Sequence, residues 1–366
     1  MRMDLPVITA EGTPYEIGFQ HGKQTSAGIG ANISYYMKLW HHFCGVEKSR
    51  VLEDARMFLP FIEKLDPDLI QELEGVAQGA EMQFEEILAL NARWELNYAY
   101  LFPDSAESAA AGCTALAVTP EASADGHMYI GQNWDYKPGL ENGCILLHIR
   151  QNDKPDIIMH TEAGVIGHKG FNAAGIGICM NYIRCDQDVF KPGLPVWLKV
   201  RSLLNSENLS NCLGILMDNE GPNSANILIA HRDGEAIDAE CAPNDVYFLY
   251  PPEGILTHSN HFISPRFHAK DSGKSLLPDT VIRSERALRL LLEKRKAIRL
   301  ETIQAVLTDH FGHPNSICRH RDSALNPYAQ WETLTSFVID LTEGKMHYTG
   351  GPPCGEPYKT LSMNSK

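Results

Sequence analysis

The first hundred residues repeat hydrophobic side chains at the spacing of an α-helix. After a short opening strand, Thr13-Pro14-Tyr15-Glu16 has the pattern of a capping box with proline at the first helical position. This pattern predicts a helix that runs to about His42. Amphipathic periodicity returns at residue 49 and is interrupted by Pro60. Further helices are predicted from residue 66, with Gly79 as the expected end, and over residues 84–100.

From Cys113 onward the hydrophobic period changes to two, which is typical of β-strands. Pairs of such segments, separated by short turns, predict hairpins over residues 113–133, 144–161, 226–239 and 336–348. A glycine-containing apolar segment at residues 175–182 predicts one more strand, and residues 245–250 and 254–257 predict two others. Helices are expected at residues 195–204, 209–217, 281–300 and 301–310.

Strands joined in hairpins indicate antiparallel sheets, so the order of elements predicts the α+β class. The chain shows no internal repeat and no low-complexity linker. We therefore expect a single domain over residues 1–366. Between the helical and the strand-rich parts, residues 101–112 are turn-like and then small, which predicts an exposed loop.

Composition and charge narrow the choice of partners. The 366 residues carry a formal net charge of −14, which repels phosphate backbones and argues against nucleic acid as a partner. No apolar run reaches the roughly 18 residues that span a bilayer, and no secretion signal is recognisable at the N-terminus. The sequence therefore predicts a cytoplasmic protein without a membrane partner, in which most of the nine cysteines are free thiols.

Cys113 stands where the helical period ends and the strand period begins. If the Gly112–Cys113 bond is cut, Cys113 carries both a thiol and a free α-amine that can accept the thiol proton. Glycine before the cut suits this chemistry because it tolerates strained backbone and crowds the attack least. From the local sequence alone, a buried strand cysteine with no chemistry is the simpler interpretation.

Two segments of the strand-rich part stand out, Gly112-Cys113-Thr114 and Gly131-Gln132-Asn133-Trp134-Asp135. Four more are spread over nearly the whole chain: residues 11–18 with His21-Gly22, Asn91-Ala92-Arg93-Trp94-Glu95, Thr257-His258-Ser259-Asn260-His261 and Ser316-Ile317-Cys318-Arg319-His320. In their order and number, these segments resemble the acyl-coenzyme A:6-aminopenicillanic acid acyltransferase family. In the related bile-salt enzymes an arginine stands where this chain has Gln132, which favours the acyltransferase-like branch.

The resemblance implies an N-terminal-nucleophile hydrolase fold, a four-layer αββα sandwich of two antiparallel sheets. It also implies self-cleavage at Gly112-Cys113 into segments 1–112 and 113–366 that stay associated. The sequence is compatible with both a monomer and an oligomer. The implied catalytic residues are the nucleophile Cys113, Asp135 beside its amine, Asn260 as a donor to the oxyanion, Asn181 as a second polar group and Arg319, with Arg283 as the second choice of arginine. Trp134 and Thr114 are expected to contact the substrate.

No cofactor and no metal ion is expected. The histidine pairs 258/261 and 310/313 have a spacing that zinc sites use, but the sequence near them supplies no acidic or cysteine partner in a metal-binding pattern. The resulting hypothesis is a self-processing amidohydrolase that cleaves a linear amide of a small N-acylated amine or amino acid. Acyl transfer from a coenzyme A thioester is one alternative, and a non-catalytic binding module with the same fold is the other.

Overall fold

The structure is a computed structural model that describes residues 5–101, 112–218, 221–243 and 245–365. Residues 102–111, which include most of the predicted loop before the cut, lie outside it. The helices of the described chain are α1 (Pro14–Cys44), α2 (Lys48–Arg56), α3 (Leu59–Leu65), α4 (Pro67–Ala80), α5 (Phe84–Asn91), α6 (Arg93–Tyr100), α7 (Val196–Leu204), α8 (Leu209–Met217), α9 (Gly273–Leu276), α10 (Asp279–Leu292) and α11 (Leu300–Leu307).

The strands alternate with these helices in an α+β order. They are β1 (Val7–Gly12), β2 (Gly112–Val118), β3 (Tyr129–Tyr136), β4 (Cys144–Gln151), β5 (Ile157–Glu162), β6 (Lys169–Asn172), β7 (Ile176–Asn181), β8 (Ala225–His231), β9 (Ala236–Ala242), β10 (Asp245–Leu249), β11 (Ile255–His258), β12 (Glu332–Asp340), β13 (Lys345–Thr349) and β14 (Lys359–Ser362).

Two sheets form the centre of the described structure. The larger has the order β1-β4-β5-β6-β7-β8-β9-β10, and the smaller has the order β11-β2-β3-β12-β13-β14. They face each other through β2 and β3 on one side and β7 and β8 on the other, while α10 and α11 contact the smaller sheet and α1 and α7 contact the larger. The predicted α+β sandwich of two sheets with helices on both is confirmed.

One detail of the predicted sheets is wrong. Strand β1 pairs with β4 in a parallel direction, from Val7 opposite Leu146 to Gly12 opposite Gln151, so the larger sheet is mixed rather than purely antiparallel. The reason is that β1 reaches this edge from a distant part of the chain and not through a hairpin. The hairpin periodicity therefore carried no information about its direction.

The first helix begins as the sequence predicts. The Thr13 side chain accepts from the Glu16 backbone N–H while the Glu16 carboxylate accepts from the Thr13 backbone N–H, which completes the capping box. The end of α4 differs from the prediction, because the helix passes through Gly79 and ends at Glu81 in a left-handed conformation (φ 59°). Gly79 is instead a contact point between helices: a Cβ there would lie 2.1 Å from the carbonyl oxygen of Phe19 in α1.

Two other helices are shorter than their periodicity suggests. The segment predicted as one helix over residues 84–100 divides at Ala92, which has non-helical backbone angles. The predicted helix over residues 281–300 ends at Leu292, and the chain then turns so that Lys296 donates its backbone N–H to the Ala122 carbonyl. At the end of α10, a contact with a distant residue overrides the local pattern.

The apolar core occupies two layers. The larger cluster joins the helices of the N-terminal part to the sheets, and a second cluster packs α10 and α11 against the smaller sheet. Strand β2 is buried along its whole length, so Cys113 lies at one end of a fully enclosed strand. In the part of the chain that is described, no helix has the length and hydrophobicity to cross a membrane.

Candidate active site

The structure brings most of the predicted site residues together around the first residues of β2. Cys113 lies opposite Trp134 in the β2–β3 ladder, and Gly112 lies opposite Asp135. Strand β3 continues this geometry on its other side, where Asp135 pairs with Thr333 of β12. Adjacent strands therefore bring the nucleophile candidate, the carboxylate and the tryptophan to one edge of the smaller sheet.

The backbone nitrogen of Cys113 is held by Asn260. Its N–H donates to the Asn260 side-chain oxygen at 2.8 Å, and the Asn260 amide nitrogen donates to the Tyr182 carbonyl at 2.8 Å. Asn260 thus orients the atom that would become the free amine. The predicted donor role toward an oxyanion stays a prediction, because in this arrangement the amide NH₂ is directed to Tyr182.

Two arginines lie beside this strand end. Arg283 donates to the Cys113 carbonyl at 2.5 Å, to the Thr114 hydroxyl at 3.0 Å and to the Asn260 side-chain oxygen at 2.8 Å. Its side chain is buried, so α10 directs it toward β2 and not toward solvent. Thr114 therefore serves as an acceptor for Arg283, and it is not among the residues that line the pocket next to Cys113.

Arg319 joins the two carboxylates of the site. Its Nε donates to Asp135 Oδ2 at 3.3 Å, and its terminal nitrogens donate to Asp279 and, at 2.5 Å, to Asn315. Asp279 in turn accepts from Arg283 Nε at 2.7 Å. Both arginines that the resemblance suggested therefore reach the site, and Asp279, which no sequence pattern indicated, connects them.

Gly112 lies against this ion pair. A Cβ at Gly112 would be 2.9 Å from both Arg319 Nε and Asp135 Oδ2. The position therefore has room for glycine alone unless the pair moves apart.

Burial changes the ionisation of the central groups. It raises the pKa of the Cys113 thiol, an effect that the charge of Lys169 opposes. It also raises the pKa of Asp135 to about 6, against the attraction of Arg319 and Arg283 and the hydrogen bond from Thr333. The thiol of the intact chain is therefore a weak nucleophile near neutral pH and needs a base.

A small pocket lies next to the thiol. Its walls are mainly aromatic or cationic, and the lining side chains are Arg93, Trp94, Asn97, Cys113, Trp134, Tyr136, Lys169, Met180, Tyr182 and Trp197. None of the described residues that line it is acidic. Trp134 belongs to this wall, and its expected contact with the substrate stays a prediction. Asn181 does not line the pocket, because its amide is bonded to Gln132 and Asn226 at 2.8 Å each.

Lys169 and Arg93 are the functional candidates that sequence reasoning missed. Within the described chain, neither Lys169 Nζ nor Arg93 Nη1 has a hydrogen-bond partner, although both are buried. Burial lowers the pKa of Lys169 to about 7. Arg93 lies in one of the segments that resemble the family, but nothing in that segment indicates a role for its side chain. A single lysine in the short strand β6 carries no local sequence signal that predicts its burial.

The chain is similar to known proteins along most of its length. The model of the family described as acyl-coenzyme A:6-aminopenicillanic acid acyl-transferase matches residues 122–353. The chain is 30% identical over 363 residues to the acyl-coenzyme A:6-aminopenicillanic-acid-acyltransferase 40 kDa form of Emericella nidulans, covering 97% of this chain and 95% of that protein. The chain belongs to this acyltransferase family. It is accordingly an enzyme, an amide hydrolase or an acyltransferase.

Solved structures support the fold of this family member. A variant of conjugated bile acid hydrolase from Clostridium perfringens superposes with a TM-score of 0.50 and 15% identity, over 69% of this chain and 93% of that chain. The αββα sandwich of two sheets that the resemblance implied is therefore confirmed.

Proposed function

We propose that the chain is a self-processing cysteine N-terminal-nucleophile amidohydrolase. The observation that carries this proposal is the arrangement around one peptide bond. Gly112 lies against the Asp135–Arg319 pair, the Cys113 nitrogen is held by Asn260, and the Cys113 thiol faces a pocket. Strand residues that served packing alone would not require two buried arginines and a buried carboxylate at this position.

Processing begins with the Cys113 thiol. It attacks the carbonyl carbon of Gly112 and passes its proton to the departing nitrogen, so the amide becomes a thioester. Water then opens the thioester, which leaves a carboxylate on Gly112 and restores the thiol. Cys113 gains a free α-amine, and the 2.8 Å contact with Asn260 is already in place to orient it.

Turnover uses the new amine as the base. An α-amine has a pKa of roughly 7.7–8.0, so near neutral pH a useful fraction is unprotonated and accepts the proton of a thiol whose pKa burial raises. The thiolate attacks the substrate amide, the proton moves to the leaving amine, and an acyl-enzyme forms. Water then adds to the thioester and releases the acid. Asp135 and Arg319 contribute a fixed electrostatic environment for these proton transfers.

The pocket supports an N-acyl amino acid as the substrate class. Lys169 Nζ and Arg93 Nη1 are buried and have no hydrogen-bond acceptor in the described chain, and they line an otherwise aromatic pocket beside the thiol. A carboxylate on the substrate would accept hydrogen bonds from both of these nitrogen atoms, which burial otherwise leaves without an acceptor. The aromatic walls suit an apolar acyl group.

Acyl transfer is the second candidate. The 30% identity to an acyl-coenzyme A acyltransferase along almost the whole chain favours it. The two reactions share the acyl-enzyme and differ in the acceptor that reaches it. The enzyme can be given a coenzyme A thioester together with an amine. Formation of the N-acylated amine faster than hydrolysis of the thioester would identify transfer as the main activity.

Processing is tested by intact mass under denaturing conditions. The wild type is expected to give fragments 1–112 and 113–366, while Cys113→Ala stays whole. Cys44→Ser is the matched control, because Cys44 is an exposed free thiol far along the chain from the cut, and it should process normally. A wild-type chain that stays intact and hydrolyses no amide would instead support the binding-module alternative.

The substrate class is tested with a matched pair of amides, N-phenylacetylglycine and its neutral carboxamide. Lys169→Met is expected to lower kcat/KM for the acid by about 10- to 100-fold, mainly through KM, and to change the neutral amide little. Lys345→Met, at an exposed lysine, is the control. Equal losses for the two substrates would contradict the carboxylate assignment while leaving the processing result untouched.

A further inference from the structure

Four side chains with metal-binding atoms converge at a point that the catalytic proposal does not use. His310, Cys318, His320 and Cys354 each offer one ligand atom, and these four atoms all lie within 4.8 Å of one another. We propose that they bind a structural zinc ion. The sequence shows no metal-binding pattern of acidic or cysteine partners around His310, and the fold brings two cysteines beside it.

The distances from His320 to the other three ligand atoms are close to those of tetrahedral coordination. His320 Nε2 lies 3.6 Å from Cys318 Sγ, 3.5 Å from Cys354 Sγ and 3.0 Å from His310 Nε2. Zinc bonds of about 2.3 Å to sulfur and about 2.0–2.1 Å to nitrogen place sulfur and nitrogen about 3.5 Å apart in a tetrahedron, and two nitrogens about 3.3 Å apart. Since all four ligand atoms lie within 4.8 Å of one another, small side-chain movements would complete the geometry.

The backbone that carries the ligands is already ordered by its own hydrogen bonds. The Cys318 N–H donates to the Asp309 carbonyl at 3.0 Å, and the His320 N–H donates to the Pro314 carbonyl at 3.0 Å. These bonds fold the segment after α11 back on itself, so His310 meets Cys318 and His320. Cys354 comes from the turn after β13, where the Gly355 N–H donates to the Pro352 carbonyl at 3.0 Å.

The donor set selects the metal. Two thiolates and two imidazoles in a tetrahedral arrangement suit zinc, whereas magnesium and calcium prefer oxygen. Binding one Zn²⁺ releases the two thiol protons, and the dication and two thiolates then leave the site without net charge. All four coordination positions come from protein, so the site has no open position for water or substrate and its role is structural.

The proposed metal site lies next to a residue of the candidate active site. Arg319 stands between the ligands Cys318 and His320, and its backbone N–H donates to the Thr333 hydroxyl at 2.9 Å. That hydroxyl donates to Asp135 Oδ1 at 2.7 Å. An ion held on both sides of Arg319 would therefore fix the segment that carries the Asp135–Arg319 pair.

The first test is metal analysis of the wild type, purified without a histidine tag and without chelator. We expect about one zinc ion per chain. Replacement by Co²⁺ should give ligand-field bands in the visible spectrum and a sulfur-to-cobalt charge-transfer band in the near ultraviolet. This readout needs no variant and no catalytic activity, so it does not depend on the proposed function.

Variants locate the metal. Cys354→Ser and His310→Gln, both at exposed positions, should each lower the zinc content at least tenfold after dialysis, and Cys44→Ser should keep it. A chain that takes up neither zinc nor cobalt would overturn the proposal. So would a Cys318–Cys354 disulfide in the freshly purified protein, or zinc that remains in both ligand variants.

Discussion

At the scale of single residues, the site is a set of buried charges that compensate one another. Asp135 and Asp279 balance Arg283 and Arg319 through direct hydrogen bonds. Removing one member leaves another charge buried without a partner, which costs more than the pair itself contributes. Because this set packs closely around Gly112, a larger side chain at that position would displace the charged groups.

Gly112→Ala is expected to slow self-processing and to lower the free energy of unfolding by about 1–3 kcal/mol. The new Cβ would lie 2.9 Å from Arg319 Nε and from Asp135 Oδ2, so the ion pair must move. Thermal unfolding and the fraction of intact chain over time measure the two effects. Gly214→Ala is the control, because nothing lies within 4 Å of a Cβ there. Processing of Gly112→Ala at the wild-type rate would contradict the crowding argument.

Binding of a carboxylate in the pocket should depend on pH. Burial lowers the pKa of Lys169 to about 7, so the ammonium loses its proton as the pH rises through that value. A carboxylate binds the ammonium and not the neutral amine, so the affinity for phenylacetate should be highest on the acid side of neutrality and fall about tenfold per pH unit well above it. Quenching of tryptophan fluorescence measures this binding, since three tryptophans line the pocket.

Lys169→Met should give weak binding with a flat pH profile. The ionisable groups that interact with Lys169 include Cys113, Cys144, Cys179, Glu162, Arg93, His160 and His168. Burial, with the Lys169 charge second, keeps the pKa of both histidines well below its usual value, and burial raises the pKa of all three cysteines. A profile that is the same in the variant and the wild type would assign the titration to another of these groups.

At the scale of elements, close contact between α1 and α4 organises the N-terminal helices. Gly18 and Gly22 in α1 and Gly75 and Gly79 in α4 each place their Cα against the backbone of the other helix. A Cβ at any of the four would lie between 2.0 and 2.2 Å from a backbone oxygen. The glycines that weaken helix propensity in the sequence are therefore the surface through which the two helices pack.

Gly79→Ala is expected to destabilise the protein by about 3 kcal/mol, because backbone atoms of α1 cannot move away as a side chain can. Gly214→Ala, in the exposed helix α8, should be neutral or stabilising by up to about 1 kcal/mol, since alanine favours helix and meets no atom there. Denaturant unfolding of the two variants provides the comparison. Equal stability of the two would show that the helix contact is less close than described.

At the scale of the whole molecule, many interactions cross the proposed cut. Strand β1 of the first segment pairs with β4 of the second. Buried ion pairs join Arg93 to Glu162 and, at 3.0 Å, Glu72 to Arg201. The apolar core also draws on both segments. The two predicted products of cleavage share one interior.

Segments 1–112 and 113–366 should therefore stay together after processing. Gel filtration of the processed wild type in native buffer is expected to give a single species that contains both fragments, which separate only in denaturant. Replacing Glu72 by alanine leaves Arg201 buried without its carboxylate and should lower the denaturant midpoint of dissociation. Elution of two separate folded fragments from the wild type would contradict the shared interior.

The sequence by itself determined the local features. The capping box at Thr13 began a helix where expected, and the change of period at Cys113 marked the start of the central strand, because both signals depend on near neighbours in the chain. The family resemblance supplied the fold and directed attention to Cys113, Asp135, Asn260, Arg319 and Arg283. The structure brings these five residues together at one strand end, and their catalytic roles remain predictions.

Only the tertiary structure decided the rest, because those features depend on residues that are far apart in sequence. Pairing of β1 with β4, the ends of α4 and α10, and the contact of Asn260 with the Cys113 nitrogen all follow from packing. A buried lysine in a short strand has the same local pattern as an exposed one, so Lys169 gave no signal. The four ligands of the proposed zinc site span residues 310 to 354, and the fold alone brings Cys354 to the histidines.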